Sequence, residues 1–129
     1  MGSQYRGLVH VVGKPRLWLR AEGLTVLVFS LGIVHVTHQA WWWIPVVLFL
    51  PDVFMVGYLR STRVGAFVYN VGHSYMAPAA VSAWAWHWHH PLVLAVGLIW
   101  FAHIGMDRML GYGLKYDEGF TRTHLGDLK

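Results

Sequence analysis

Four apolar runs of about 20 residues, joined by short polar turns, constrain this chain more than any other feature, because that length of helix spans a ~30 Å hydrocarbon layer. They cover residues 17–36, 41–59, 64–84 and 91–110. The first contains the uninterrupted stretch Leu24-Thr-Val-Leu-Val-Phe-Ser-Leu-Gly-Ile-Val34. Composition points the same way: of 129 residues 56% are hydrophobic, 16% aromatic and only 12% charged, too apolar for an ordinary soluble domain. The expected fold is all-α, an integral membrane bundle of four transmembrane helices in a single domain, with residues 111–129 as a cytoplasmic cap.

The turns are Thr37 to Ala40, Arg60 to Arg63, and a His/Trp cluster ending at His90-Pro91. Connections this short make consecutive helices antiparallel neighbours. All 10 basic residues fall on one side of such a bundle: Arg6, Lys14, Arg16 and Arg20, then Arg60 and Arg63, then Arg108, Lys115, Arg122 and Lys129. By the positive-inside rule both termini and the middle turn are cytoplasmic. The net charge of +4 is thus a topology signal, and no nucleic-acid partner is expected. No cleavable signal is expected either, since Met1 to Gly13 is polar and no small-residue cleavage site follows Leu24. On the opposite side Trp41, Trp42, Trp43, Trp84, Trp86 and Trp88 form an interfacial belt.

Pro45 and Pro51 in the second run and Pro78 in the third predict kinks that free backbone carbonyls for neighbouring helices. Small residues from Gly65 to Ser82 predict that the third helix is central.

Polar residues inside the runs carry the chemistry. Asp52, Asn70, His73, His103 and Asp107 all fall at similar depth in the cytoplasmic half. Asn70 and His73 are three apart and His103 and Asp107 four apart, so each pair shares a helix face. There is no cysteine, so a metal here would take imidazole and carboxylate ligands. Asp52, His73, His103 and Asp107 suit a divalent ion of the Zn, Mn or Fe type, with a spare carboxylate to take a proton from water. The competing structural reading is a polar clamp between helices, with Asp52 or Asp107 paired to Arg60 or Arg108. His35, His38, His87, His89 and His90 gather near the other surface, where interfacial hydrogen bonding accounts for them. The Gly-rich cap is expected to fold back and carry Tyr112, Tyr116 and His124 towards the cluster.

Leu19-Arg-Ala-Glu-Gly-Leu24, Pro51-Asp-Val-Phe-Met-Val-Gly-Tyr58, Gly65-Ala-Phe-Val-Tyr-Asn-Val-Gly-His-Ser-Tyr75, Ala102-His-Ile-Gly-Met-Asp-Arg-Met-Leu-Gly-Tyr-Gly-Leu-Lys-Tyr116 and Thr123-His-Leu-Gly126 together resemble the small bacterial membrane family known as domain of unknown function 4260. The resemblance implies four membrane helices in a bacterial inner membrane and brings no activity with it. A weaker similarity links Asp52, His73-Ser74 and His103 with Asp107 to membrane-bound metal-dependent hydrolases. Tyr69-Asn70 stands where those enzymes carry a further basic motif.

Two functions follow. The leading expectation is a small accessory subunit packed against other integral membrane proteins, for example in a photosynthetic or respiratory electron-transfer complex. The alternative is an intramembrane metal-dependent hydrolase acting on a lipid or amphiphile near the cytoplasmic leaflet, with Asn70, Tyr58, Arg108 or His124 positioning substrate. A third reading, pigment or haem binding, would use His103 beside Ala102 and Gly105, or His35 beside Gly32.

Overall fold

The computed structural model describes residues 11–37, 44–116 and 122–127. Helix α1 runs Gly13–Val36 and α5 runs Pro91–Leu110, both close to the first and fourth apolar runs. Each is long and apolar enough to cross a membrane. Pro91 opens α5 where its missing N–H is not needed, and Gly111 closes it at φ 91°, a left-handed conformation that glycine adopts without strain. The Trp41–Trp43 part of the expected belt and His38 lie outside the described residues. Trp84, Trp86 and Trp88 are exposed, as a belt requires.

The second and third runs are not single helices. The second divides into α2, Ile44–Leu48, and a 3-10 helix, Leu50–Leu59. Pro51 has no N–H for the preceding turn, so the α-helical ladder stops there and tightens. The third divides into α3, Thr62–His73, and α4, Met76–His87, separated at Ser74 and Tyr75. Pro78 cannot donate to the Ser74 carbonyl, which places the break one turn before it. Two carbonyls at the break find side-chain donors: Trp100 Nε1 donates to Gly72 O at 2.7 Å and an Arg108 guanidinium nitrogen donates to His73 O at 2.8 Å. The interruption is thereby satisfied by α5, as buried backbone requires.

The centre of the bundle is α5, not the third run. It packs on α1, α4 and α2, and buries Ala95, Gly97, Ile99, Ala102, Ile104 and Gly105. Gly23 of α1 and Gly105 of α5 face each other so closely that a Cβ on Gly105 would lie 2.6 Å from the Gly23 carbonyl oxygen. Across the bundle the 3-10 helix lays Phe54 on Gly72 and Tyr58 on Gly65, glycines two turns apart on one face of α3.

After α5 the chain folds back, as its glycines led one to expect. Asn70 of α3 clasps the backbone of Lys115, donating to its carbonyl at 2.8 Å and accepting from its N–H at 2.7 Å. Lys115 bridges to Thr123, and β1 (Arg122–Thr123) pairs antiparallel with β2 (Gly126–Asp127). Val11 N–H donates to the His124 carbonyl at 2.8 Å, tying the hairpin to the start of α1.

Candidate metal centre

Three helical elements aim four side chains at one point. In the 3-10 helix residues three apart eclipse, so Asp52 and Met55 share a row that faces α5. On α5 the spacing of His103, Met106, Asp107 and Leu110 forms one stripe. His73 arrives from the last turn of α3, just before the break.

His73 Nε2 and His103 Nε2 are 3.1 Å apart. Asp52 Oδ1 lies 3.5 Å from the first and 3.4 Å from the second. Asp107 Oδ2 lies 3.7 and 3.3 Å from the same two atoms. Ligand atoms of Asp52, His73 and His103 all lie within 4.8 Å of one another. A tetrahedral ion with bonds of about 2.0–2.1 Å needs ligand atoms ~3.3 Å apart. The five separations above scatter about that value.

A second interaction fixes His73. His73 Nδ1 is 3.0 Å from the Tyr69 carbonyl, which can only accept, so Nδ1 carries the proton and Nε2 presents a lone pair to the cluster. The Tyr69 ring stacks on the His73 imidazole at 3.7 Å. Both imidazoles are fully buried, Asp107 is 10% exposed, and Asp52 is 39% exposed. The open side belongs to Asp52, where a cavity of about 440 Å³ reaches the cluster.

Asp52, His73, His103 and Asp107 therefore converge as their spacing implied. Asn70 does not join them, because its amide is committed to Lys115. Arg108 donates to the His73 and Tyr112 carbonyls, holding the break in α3 against the end of α5. His124 is in the tail hairpin, where its Nδ1 accepts from Leu114 N–H at 2.9 Å. Burial holds that imidazole below its ordinary pKa, with the Arg108 charge acting in the same direction and the Leu114 bond opposing. Tyr112 reaches the cavity, as the folding back of the cap led one to expect, whereas Lys115, Tyr69 and the two methionines are wall residues that the sequence did not single out. Of the histidines considered for pigment or haem, His103 Nε2 faces His73, and His35, His87, His89 and His90 lie on the surface.

A bundle of interrupted helices with two buried imidazoles and two carboxylates at the wall of a cavity is a candidate metalloprotein. The chain belongs to the family described as domain of unknown function DUF4260, whose model matches residues 16–128. No curated protein and no solved structure matches it.

Proposed function

We propose that this chain is an intramembrane metal-dependent hydrolase, with Asp52, His73 and His103 as ligands and Asp107 as the proton acceptor. The observation that carries the reading is the convergence of two imidazole nitrogens with two carboxylates, each nitrogen within 3.7 Å of both carboxylates, beside a cavity. A divalent ion, if held by Asp52, His73 and His103, would supply a Lewis acid able to acidify water and polarise an ester oxygen. Asp107 takes one proton from the attacking water and passes it to the leaving alkoxide. The water oxygen bonds to the acyl carbon, the ester C–O bond breaks, and acid and alcohol result with no redox partner.

A membrane setting is part of the proposal. Trp18, Phe29, Phe49, Phe67 and Trp86 are turned outward while His73, His103, Asp107 and Lys115 are buried, an arrangement suited to a lipid solvent. The sidedness of the basic residues would put both termini, and the cluster's half of the bundle, on the cytoplasmic side. The same outward apolar faces favour a second reading, an accessory subunit seated against other membrane proteins with the cluster acting as a clamp. Metal analysis of the purified chain, paired with an ester-hydrolysis assay on dispersed lipids, separates the two. The enzyme reading expects about one divalent ion per chain and turnover that both disappear in His73→Ala. A metal-free chain, or a variant that retains metal and turnover, would overturn it.

A further inference from the structure

The cavity beside the cluster has two chemically different walls. Phe49, Met55, Met106 and Leu110 make one of them apolar. Phe49 is 57% and Leu110 52% exposed, so this wall continues onto the outer surface of the bundle. The volume of about 440 Å³ falls in the range of small-molecule sites, ~300–1,000 Å³. The other wall carries a cation. Lys115 lines the cavity and is only 4% exposed, with its ammonium 4.6 Å from the centre of the Tyr69 ring. Its main chain is fixed at both N–H and C=O by Asn70, so the ammonium is delivered from a backbone that cannot swing away.

An apolar wall open to the exterior, a cation within the site and a carboxylate pair at its base select a particular molecule. We infer that the cavity takes a single-chain anionic amphiphile, its acyl chain on Phe49, Met55, Met106 and Leu110 and its phosphate or carboxylate headgroup facing Lys115. This rests on the hydrolase reading for what happens to the molecule, but the recognition itself has a separate readout. Asn70 is on this account a positioning residue for Lys115, acting through the tail backbone.

The test uses the full chain in an uncharged detergent, with binding of dodecyl phosphate and of uncharged dodecyl glycerol ether followed by native mass spectrometry, with zinc and with zinc chelated. Preference for the phosphate by about tenfold is expected in the wild type. It should fall towards unity in Lys115→Gln and survive in Lys115→Arg and in His73→Ala. Equal binding of the two amphiphiles by the wild type would overturn the inference, as would a preference unchanged in Lys115→Gln or seen only with zinc. A chain that takes up no metal when zinc is supplied, yet still prefers dodecyl phosphate through Lys115, would sink the hydrolase and leave the anion site standing.

Discussion

The tautomer of His73 decides what the cluster can hold. With Nδ1 donating to Tyr69, its Nε2 lone pair stands 3.1 Å from His103 Nε2 and faces two carboxylate oxygens at 3.5 and 3.7 Å. Lone pairs and carboxylates around a buried point repel unless something positive lies between them. One proton offsets one carboxylate and produces the clamp; a divalent ion offsets both. The metal reading assigns different work to the two acids, and Asp107→Asn tests it. That variant should keep its metal while hydrolysis falls by ~10²–10⁴, the usual cost of losing a general base. Metal content by elemental analysis and initial rates on the same sample check both halves; loss of metal would make Asp107 a ligand. Lys115 gives a prediction in pH. Burial pushes its ammonium down to about 8, against a modest upward pull from Asp107, where an unfolded chain would hold 10.5. Between those values the unfolded chain binds more protons, so stability rises with pH across the window and the penalty is fully present below it. At about 1.4 kcal/mol per pH unit the gain is capped at roughly 3 kcal/mol. Thermal denaturation in detergent from pH 7.5 to 10.5 should show this rise in the wild type and a flatter profile in Lys115→Met.

Among the elements, the contact of α1 with α5 depends on having no side chain at Gly23 or Gly105. Gly105→Val would press a Cβ to within 2.8 Å of the Leu27 amide nitrogen as well as the Gly23 carbonyl, and such overpacking typically costs ~1–3 kcal/mol. Gly32→Ala, with nothing within 4 Å of its added methyl, should instead hold or raise stability. Melting temperatures of the two variants in one detergent decide it. The tail has its own dependence on acid. His124 accepts from Leu114 through Nδ1, and its pKa lies below 6.5, so the hairpin's stability is full above 6.5 and is lost as pH falls through the folded value. The Leu114 amide should lose hydrogen-exchange protection, corrected for intrinsic rate, as pH falls below 6.5. Much at this scale was legible in the residues. The runs at 17–36 and 91–110 foretold α1 and α5 because Gly111 and Pro91 punctuate α5, and the spacing of His103 and Asp107 foretold their shared face. Pro51 and Pro78 announced kinks, yet how far each would divide its helix depends on whether neighbours can satisfy the freed carbonyls, and Trp100 and Arg108 lie 28 and 35 residues away in sequence. Lys115 gave no signal, since an Asn70 side chain from 45 residues upstream places it.

For the molecule as a whole, interrupted helices raise the question of whether the second and third elements reach across a bilayer. A 3-10 helix advances about 2.0 Å per residue against 1.5 Å for an α-helix, so the 5 residues of α2 and the 10 of the 3-10 helix cover roughly 27 Å, nearly the ~30 Å hydrocarbon thickness. Tightening after Pro51 therefore lengthens this element towards the reach that a crossing would need. The 12-residue α3 and 12-residue α4 laid end to end would cover about 36 Å, so in a crossing the break at Ser74 and Tyr75 would fall near mid-membrane, with Arg108 and Trp100 bonded to the carbonyls beside it. Four crossings then place Ser61 in the basic turn on one side and His89 on the other. Because the chain has no cysteine, this can be read directly. Ser61→Cys and His89→Cys, each the sole thiol, would be exposed to a membrane-impermeant maleimide in intact bacterial cells and again after permeabilisation. Four crossings with cytoplasmic termini require labelling of His89→Cys in intact cells and of Ser61→Cys only after permeabilisation. The opposite pattern would reverse the orientation and move the cavity to the outer leaflet, and labelling of both in intact cells would mean that α3 with α4 does not cross.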